Sequence, residues 1–438
     1  EDGIRDIGVT GVQTCALPIS VSATEELVTL QPYPSETVQR RTRIPRHALR
    51  VRRSRRAGIR LCIKAMAIMG VVAALLNPSQ PTSAQTPRIT SKPAPLLNGV
   101  DVSWLPAIEQ AGSTFRDSTG QPTDPLTLLR DAGLRVARVR LWVNPPTPHG
   151  GFDEVLALGQ RIKRAGLLFC LDLHYSDWWA DPGKQTTPAA WSRLSAKGLE
   201  KKVFDYTKQT VTALAKAGAR PDWVQIGNEV TYGLLWPTGH VSDVTAMVRL
   251  LNAGISAAKA ASNSSKTLIH LDTGGDASHT DAWLTAALAA GLRRPDALGV
   301  SYYSQWHGPL SGLSDTITLV TARYKWKLFI AETAYPNTAA INPLNASAAS
   351  FAPLVLKPRP SEIQGYPLSP IGQAGYVDRL ATMVRAAPAK RGLGIWWWEG
   401  FSPNLAQLSA DFDAAGIWNS SLVDSAGMPQ PAMAALGQ

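Results

Sequence analysis

From residue 98 onward, short apolar runs rich in β-branched residues alternate with longer stretches whose apolar residues return every three or four positions. The runs are Gly99–Trp104, Val136–Val143, Leu167–His174, Trp223–Glu229, Thr267–Asp272, Ala297–Tyr303, Leu328–Thr333 and Leu393–Glu399. Near-continuous apolarity over so few residues predicts strands covered on both faces, as in a parallel sheet. The stretches Glu154–Ala165, Lys197–Ala217, Val241–Ala261, Asp281–Ala290 and Gly375–Ala387 carry the helical period. Eight strands alternating with helices or loops predict an α/β protein, a (β/α)8 TIM barrel forming one catalytic domain over residues 98–438. A doubly wound sheet fits less well, because no GxGxxG follows the first strand.

A barrel of this kind places its site at the C-terminal ends of the strands. Those ends are unusually polar and aromatic. They carry Asp101 and Trp104, Arg140 and Trp142, the run Asp172 to Trp179, Asn228-Glu229, Tyr302-Tyr303 with Trp306-His307, Glu332, and Trp396 to Glu399. A charge at the end of an apolar strand is costly to bury unless it is paired or used. A single such acid reads equally well as a structural ion pair, but acids, His and aromatics at nearly every rim position point to a built site. The chain has 14 tryptophans. Trp223 and Trp326 read as core, whereas Trp306 and Trp398, beside His or acid at loop starts, read as flat surfaces for the C–H faces of sugars.

Charge and cysteine usage narrow the class. Residues 1–84 hold 12 Lys/Arg against 6 Asp/Glu, a net of +6 out of +11 for the whole chain. The remaining Lys/Arg are scattered, so no nucleic-acid partner is expected. Of Cys15, Cys62 and Cys170, only Cys170 lies in the predicted domain, inside an apolar strand, which predicts a small core residue and no zinc site.

Within residues 51–84, six basic residues from Arg52 to Lys64 precede an apolar core from Ala65 to Leu76, and Thr82-Ser83-Ala84 offers a cleavage site. The segment predicts a secretory signal peptide, too short in its apolar core for a membrane span, and hence no stable membrane association after cleavage. A Pro/Ser/Thr-rich stretch follows, with residues 85–97 as linker. Residues 1–50 are read as a non-native or unstructured leader. Val9 to Ile19 resembles a translated sequencing adapter, no Met precedes Met66, and Val51 is the expected start. The mature product is expected to be extracellular or periplasmic, and monomeric.

Glu229 and Glu332 end two apolar runs about a hundred residues apart. On parallel strands 4 and 7 their carboxyls would face each other across one rim. Retaining glycoside hydrolysis needs such a pair about 5–5.5 Å apart, one carboxyl attacking the anomeric carbon and the other protonating the leaving oxygen. Glu229 suits the acid/base, with Asn228 placed to bond a sugar 2-hydroxyl. Glu332 suits the nucleophile, held ionised by Arg140 and a strand-6 tyrosine.

These residues resemble a known family. Asn228-Glu229 with a later strand-end Glu is similar to the large clan of retaining (β/α)8 glycosidases. Residues 98–424 resemble glycoside hydrolase family 53, the endo-β-1,4-galactanases. The matching stretches are Gly99 to Leu105, Arg138 to Pro145, His174-Tyr175-Ser176-Asp177, Trp179 to Gln185, Val224 to Glu229, Ser301-Tyr302-Tyr303, Trp306-His307-Gly308 and Glu332 to Pro336. His-Tyr-Ser-Asp followed by Trp-Ala-Asp-Pro-Gly-Lys-Gln is the most specific of them.

The resemblance implies Glu229 as acid/base and Glu332 as nucleophile on internal β-1,4-galactosyl bonds of pectic galactan or type I arabinogalactan. It also implies that Asp101, Arg140, His174, Asp177, Asn228, Tyr302, Tyr303, His307 and Trp398 line the nearest subsites, and it requires no cofactor. The chain departs from the family at Ser304-Gln305 and at Asn337, each removing a stacking surface. Some bacterial members bind calcium after strand 7, but Glu362 is the only acid between Asn337 and Gln373, so no metal is expected. The alternatives are another retaining β-glycanase of the clan, a mannanase or xylanase, and a non-catalytic carbohydrate-binding barrel.

Overall fold

Strands β1 (Gly99–Asp101), β2 (Val136–Leu141), β3 (Leu168–Leu173), β4 (Trp223–Ile226), β5 (Lys266–Leu271), β6 (Ala297–Ser301), β7 (Leu328–Thr333) and β8 (Gly392–Trp397) pair in chain order and close into a barrel. Every pairing is parallel, and β8 returns to β1 through Gly99↔Trp396 and Val100↔Trp397. The computed structural model describes residues 95–338, 362–401 and 420–438. All lie within one compact unit, Arg88–Gln438. The predicted leader, signal peptide and most of the linker lie outside the described residues, as do residues 339–361 of the loop considered for calcium.

The five predicted helices are present as α3 (Phe152–Arg164), α4 (Ala196–Lys216), α5 (Val244–Ala261), α6 (Ala277–Ala289) and α8 (Pro370–Arg385). Ser195 and Ser369 accept from the Gly198 and Gly372 amides and so cap α4 and α8. Four short helices complete the described set: α1 (Leu105–Gln110), α2 (Pro125–Asp131), α7 (Leu310–Thr318) and α9 (Pro431–Gly437). The C-terminal α9 is tied to the barrel by Asn98, whose Nδ2 donates to Leu436 O (2.6 Å) while its Oδ1 accepts from Ile395 N (2.9 Å).

Alternation along the strands sorts the barrel interior into two levels. The lower level is an apolar plug of Val136, Cys170, Trp223, Leu268, Ala297, Phe329, Ala331 and Trp396. Phe329 packs on Trp396 at 4.3 Å between centroids and edge-on against Trp223 at 5.0 Å. Cys170 is a free, buried thiol in this plug, as its place in an apolar run predicts. Two residues further along the strands, the same inward face becomes Arg138, Asp172, Gln225 and His270, all buried. The plug is therefore the floor beneath a polar layer at the strand C-termini.

Most strands stop two or three residues earlier than their apolar runs. β4 ends at Ile226, and the chain turns at Gly227 (φ +78°), where a Cβ would come within 2.5 Å of Val230 Cγ1. The turn lifts Asn228 and Glu229 onto the rim, with Glu229 itself left-handed at φ +45°.

Candidate active site

The polar layer is organised by one buried guanidinium. Arg138 Nε donates to Gln225 Oε1 (3.1 Å), Nη1 to Asp101 Oδ2 (2.9 Å), and Nη2 to both Asp172 Oδ2 and Asn228 Oδ1 (2.8 Å each). Glu332 Oε1 also lies 2.9 Å from Nη2. Both Nη2 hydrogens are already directed at Asp172 and Asn228, so Glu332 receives the charge without a hydrogen bond at Oε1. Asp172, Glu332 and Asp101 together raise the Arg138 pKa against the cost of its burial. Expectation and structure differ here: Arg138, not Arg140, is the cation on Glu332. Arg140 instead stands between Trp104, Trp142 and Trp179, with ring centroids 4.0, 4.6 and 4.4 Å from its guanidinium carbon, and its nearest acid is Glu399 at 4.0 Å.

Glu332 lies within β7 and Glu229 three residues beyond β4. Tyr303 Oη donates to Glu332 Oε2 (3.1 Å), and burial, then the charges of Glu332 and Glu229, keeps this phenol neutral. Ser301 Oγ lies 2.5 Å from Glu229 Oε1. Burial raises the Glu332 carboxyl to about 7 against the pull of Arg138. Burial, then the charge of Glu332 and that of Asp272, pushes Glu229 well above the usual carboxylate range. The two carboxyls influence one another, and the guanidinium 2.9 Å from Glu332 favours the negative charge there.

The other expected residues divide by role in the geometry. Asp101 and Asn228 are in the polar layer on Arg138. His174 is buried; its Nε2 is 3.0 Å from Asp172 Oδ2, while Trp142 Nε1 and Ala180 N lie 3.3 Å from its Nδ1. The carboxylate fixes Nε2 as donor and leaves Nδ1 to accept. Tyr302 Oη donates to Gly308 O (2.7 Å). His307 Nδ1 accepts from Tyr303 N (2.8 Å), and burial lowers its pKa. Trp398 lies over Arg138 at 5.6 Å and near Trp179 at 6.0 Å. Trp306 is half exposed, whereas Trp223 and Trp326 are buried.

Asp177 borders a groove of about 400 Å³ with Trp178, Trp179, Lys184, Thr186 and Thr187. Its Oδ2 accepts from Ala189 N (2.8 Å), and its buried Oδ1 has no protein partner among the described residues. Asn337 donates from Nδ2 to Ser421 O (3.0 Å), so it acts as a tie between loops. Gln305 Oε1 is 3.4 Å from Ser304 Oγ.

Sequence reasoning does not single out Arg138, Gln225, His270 or Ser301. The signal available is alternation: Arg138, Gln225 and His270 each lie two residues beyond a plug residue on the same strand face. Burial, then the charge of Arg138, lowers the His270 pKa well below its ordinary value, so its ring is neutral.

Residues 97–436 match Glycosyl hydrolase family 53. A protein of Niallia circulans, described as an uncharacterized protein in the bgaB 5′ region, is 36% identical over 309 residues, which is 69% of this chain and 82% of that protein. The arabinogalactan endo-β-1,4-galactanase of Thermothelomyces thermophilus is 34% identical over 337 residues, 74% of this chain and 97% of that one. Among solved structures, a fungal β-1,4-galactanase superposes with a TM-score of 0.69 at 30% identity, covering 79% of this chain and 100% of its own. The family 53 catalytic domain of Ignisphaera aggregans superposes with a TM-score of 0.68 at 28% identity, covering 80% and 97%. With this span of sequence and this closed barrel, the chain belongs to glycosyl hydrolase family 53.

Proposed function

We propose that the protein is an endo-β-1,4-galactanase that cleaves internal β-1,4-galactosidic bonds of galactan and type I arabinogalactan, the side chains of pectin, by double displacement. The observation that carries this reading is the inequality of the two rim carboxyls. Glu332 sits on a guanidinium and a neutral phenol, and its Oε1 has no hydrogen bond. Glu229 stands against Ser301 with no cation paired to it among the described residues, and burial, then the charge of Glu332, favours its protonated form.

Glu332 is the nucleophile: its ionised carboxylate attacks the anomeric carbon. Glu229 gives its proton to the leaving glycosidic oxygen as the C–O bond breaks, so no alkoxide has to be expelled. Water then attacks the glycosyl ester, Glu229 takes a proton from it, and Glu332 is released as carboxylate. The net change is retention at the anomeric carbon. Asp177 and the Trp178 and Trp179 faces, which line one groove, suit galactosyl hydroxyls and C–H faces. Asp101, Arg140, His174, Asn228, Tyr302, Tyr303, His307 and Trp398 belong to the same reading as the lining of the subsites nearest cleavage.

Export by cleavage of residues 51–84, with residues 98–438 as the mature catalytic domain, belongs to the same reading. Among the described residues, no helix is long and apolar enough to cross a membrane. The test is reducing-end release by the purified protein from linear β-1,4-galactan, mannan and xylan, with chromatography of the products. Galactan alone should give a ladder of oligosaccharides. Faster release from mannan or xylan would replace galactan as the substrate.

A further inference from the structure

Behind Glu229 a hydrogen-bonded chain runs back to the guanidinium that holds Glu332. Arg138 Nη2 donates to Asn228 Oδ1 (2.8 Å), His270 Nδ1 is 2.9 Å from the same oxygen, His270 Nε2 is 2.9 Å from Ser301 Oγ, and Ser301 Oγ is 2.5 Å from Glu229 Oε1. The orientation of the Asn228 amide is fixed from both ends, because Nδ2 donates to Ala180 O (2.9 Å) while Oδ1 accepts from Arg138. An oxygen that only accepts leaves His270 Nδ1 as the donor in that contact; Gln225 Nε2 also lies 3.3 Å from Nδ1, but its two hydrogens have shorter acceptors in Asp172 Oδ1 (2.6 Å) and Asn228 Oδ1 (3.1 Å).

The direction of every later link follows. A neutral ring with its hydrogen on Nδ1 has only a lone pair on Nε2. Ser301 must therefore donate its single hydrogen to Nε2 and turn a lone pair toward Glu229. A serine donating to Glu229 would favour the carboxylate; the histidine behind it reverses that direction. If Glu229 were ionised, Ser301 could turn to it only by leaving lone pairs of Ser301 and His270 facing each other at 2.9 Å.

We propose that Ser301 and His270 are positioning residues for Glu229, a polarity-fixed relay that holds the acid's proton on the carboxyl in the free enzyme. The relay transfers no proton itself. The proton leaves Glu229 only for the glycosidic oxygen as the C–O bond breaks, and returns from the water that cleaves the Glu332 ester. This assignment rests on the galactanase reading of the two glutamates and adds the means by which the acid is kept loaded.

The groups able to disturb this device are on the neighbouring elements. His270 is faced by Arg138 on β2, by His174 beyond β3, by His307 beyond β6 and by Glu332 on β7, whose Oε1 is 4.0 Å away. Glu229 is faced by Glu332, by Asp272 beyond β5 and by Asp181 beyond β3. None of these is altered by substitution at Ser301 or His270, so a shift in the basic limb reports the relay.

The experiment is the pH dependence of kcat/KM on β-1,4-galactan for the full chain and for Ser301→Ala, Ser301→Thr and His270→Asn. The basic limb of kcat/KM reports the acid of the free enzyme. In His270→Asn the shorter amide can keep a donor to Asn228 but puts no atom where Nε2 accepted from Ser301, freeing Ser301 to donate to Glu229. Its basic limb should move about one pH unit lower, that of Ser301→Ala by about half a unit, and that of Ser301→Thr not at all. At pH 8, His270→Asn should lose more rate on a p-nitrophenyl β-1,4-galactobioside than on the 2,4-dinitrophenyl one, whose leaving group needs little protonation. Variants that lose turnover with the limb unmoved and no leaving-group dependence would overturn the relay. Wild-type protein inert on galactan would instead overturn the substrate reading, whatever the variants do.

Discussion

Replacing Arg138 by Lys keeps the charge and removes the fork. The guanidinium spends three nitrogens on four partners, Gln225, Asp101, Asp172 and Asn228, and adds the contact to Glu332. A single ammonium with three hydrogens cannot occupy the positions of Nε, Nη1 and Nη2 together, so at least two of these bonds are lost. Hydrogen bonds to charged groups contribute about 1.5–3 kcal/mol each, which puts the cost at about 3–5 kcal/mol, the range for breaking a buried ion pair. At about 2.1 cal/mol/K of unfolding entropy per residue, a barrel of this size should melt about 4–7 °C lower. Activity should fall as well, because less of the cation reaches Glu332. Its carboxyl, held at about 7 against burial by Arg138, should rise, carrying the acidic limb of kcat/KM upward. Scanning calorimetry at pH 7 and a pH–rate profile read both effects. A variant melting within about 1 °C of wild type, with its acidic limb unmoved, would refute the claim that this guanidinium organises the layer.

Other consequences are open to simple assays. In wild type, kcat/KM should fall about tenfold per pH unit below about 7, as Glu332 takes up its proton; a limb below pH 5 would contradict the nucleophile's environment. Glu229→Ala should lose about 10²–10⁴-fold on galactan, and azide should restore turnover on a dinitrophenyl galactobioside with formation of a β-glycosyl azide. No azide adduct by mass spectrometry would remove Glu229 from the acid/base role. Burial raises the Glu399 carboxyl from an ordinary 4.5 to about 8 against Arg140. The folded state then binds this proton more tightly than the unfolded state, so stability is lost as pH rises from about 4.5 to 8. Glu399→Gln should therefore show a smaller drop in Tm across that window, and an identical drop would show that Glu399 does not titrate there.

The barrel is legible in the sequence because its strands are buried on both faces and its helices are amphipathic. The strand ends are less so. Runs such as Trp223–Glu229 continue apolar or β-prone past the last ladder bond, and only the left-handed turn at Gly227 ends the strand at Ile226. Helix α2 has a readable start in Asp124-Pro125, with Asp124 accepting from Leu126 N and Thr127 N, but its seven residues are too few for a clear period. Glu229 and Glu332 stand out because an acid that closes an apolar run is buried at a cost unless it is paired or does chemistry. Arg138 and Arg140 do not separate by sequence, since residues two apart share a strand face. What separates them is level: Arg138 reaches the converging acids, whereas Arg140 meets three tryptophans. His270 in Lys266–Leu271 reads as a lone core histidine until Asn228 and Ser301 are brought to its two nitrogens.

The unequal roles of Glu332 and Glu229 are tested most directly by the anomeric configuration of the first product. Proton NMR of β-1,4-galactan digestion in the first minutes should show the β-anomer of the new reducing ends appearing first and the α-anomer growing only by mutarotation. First appearance of the α-anomer would mean a single displacement by water, and would contradict attack by Glu332.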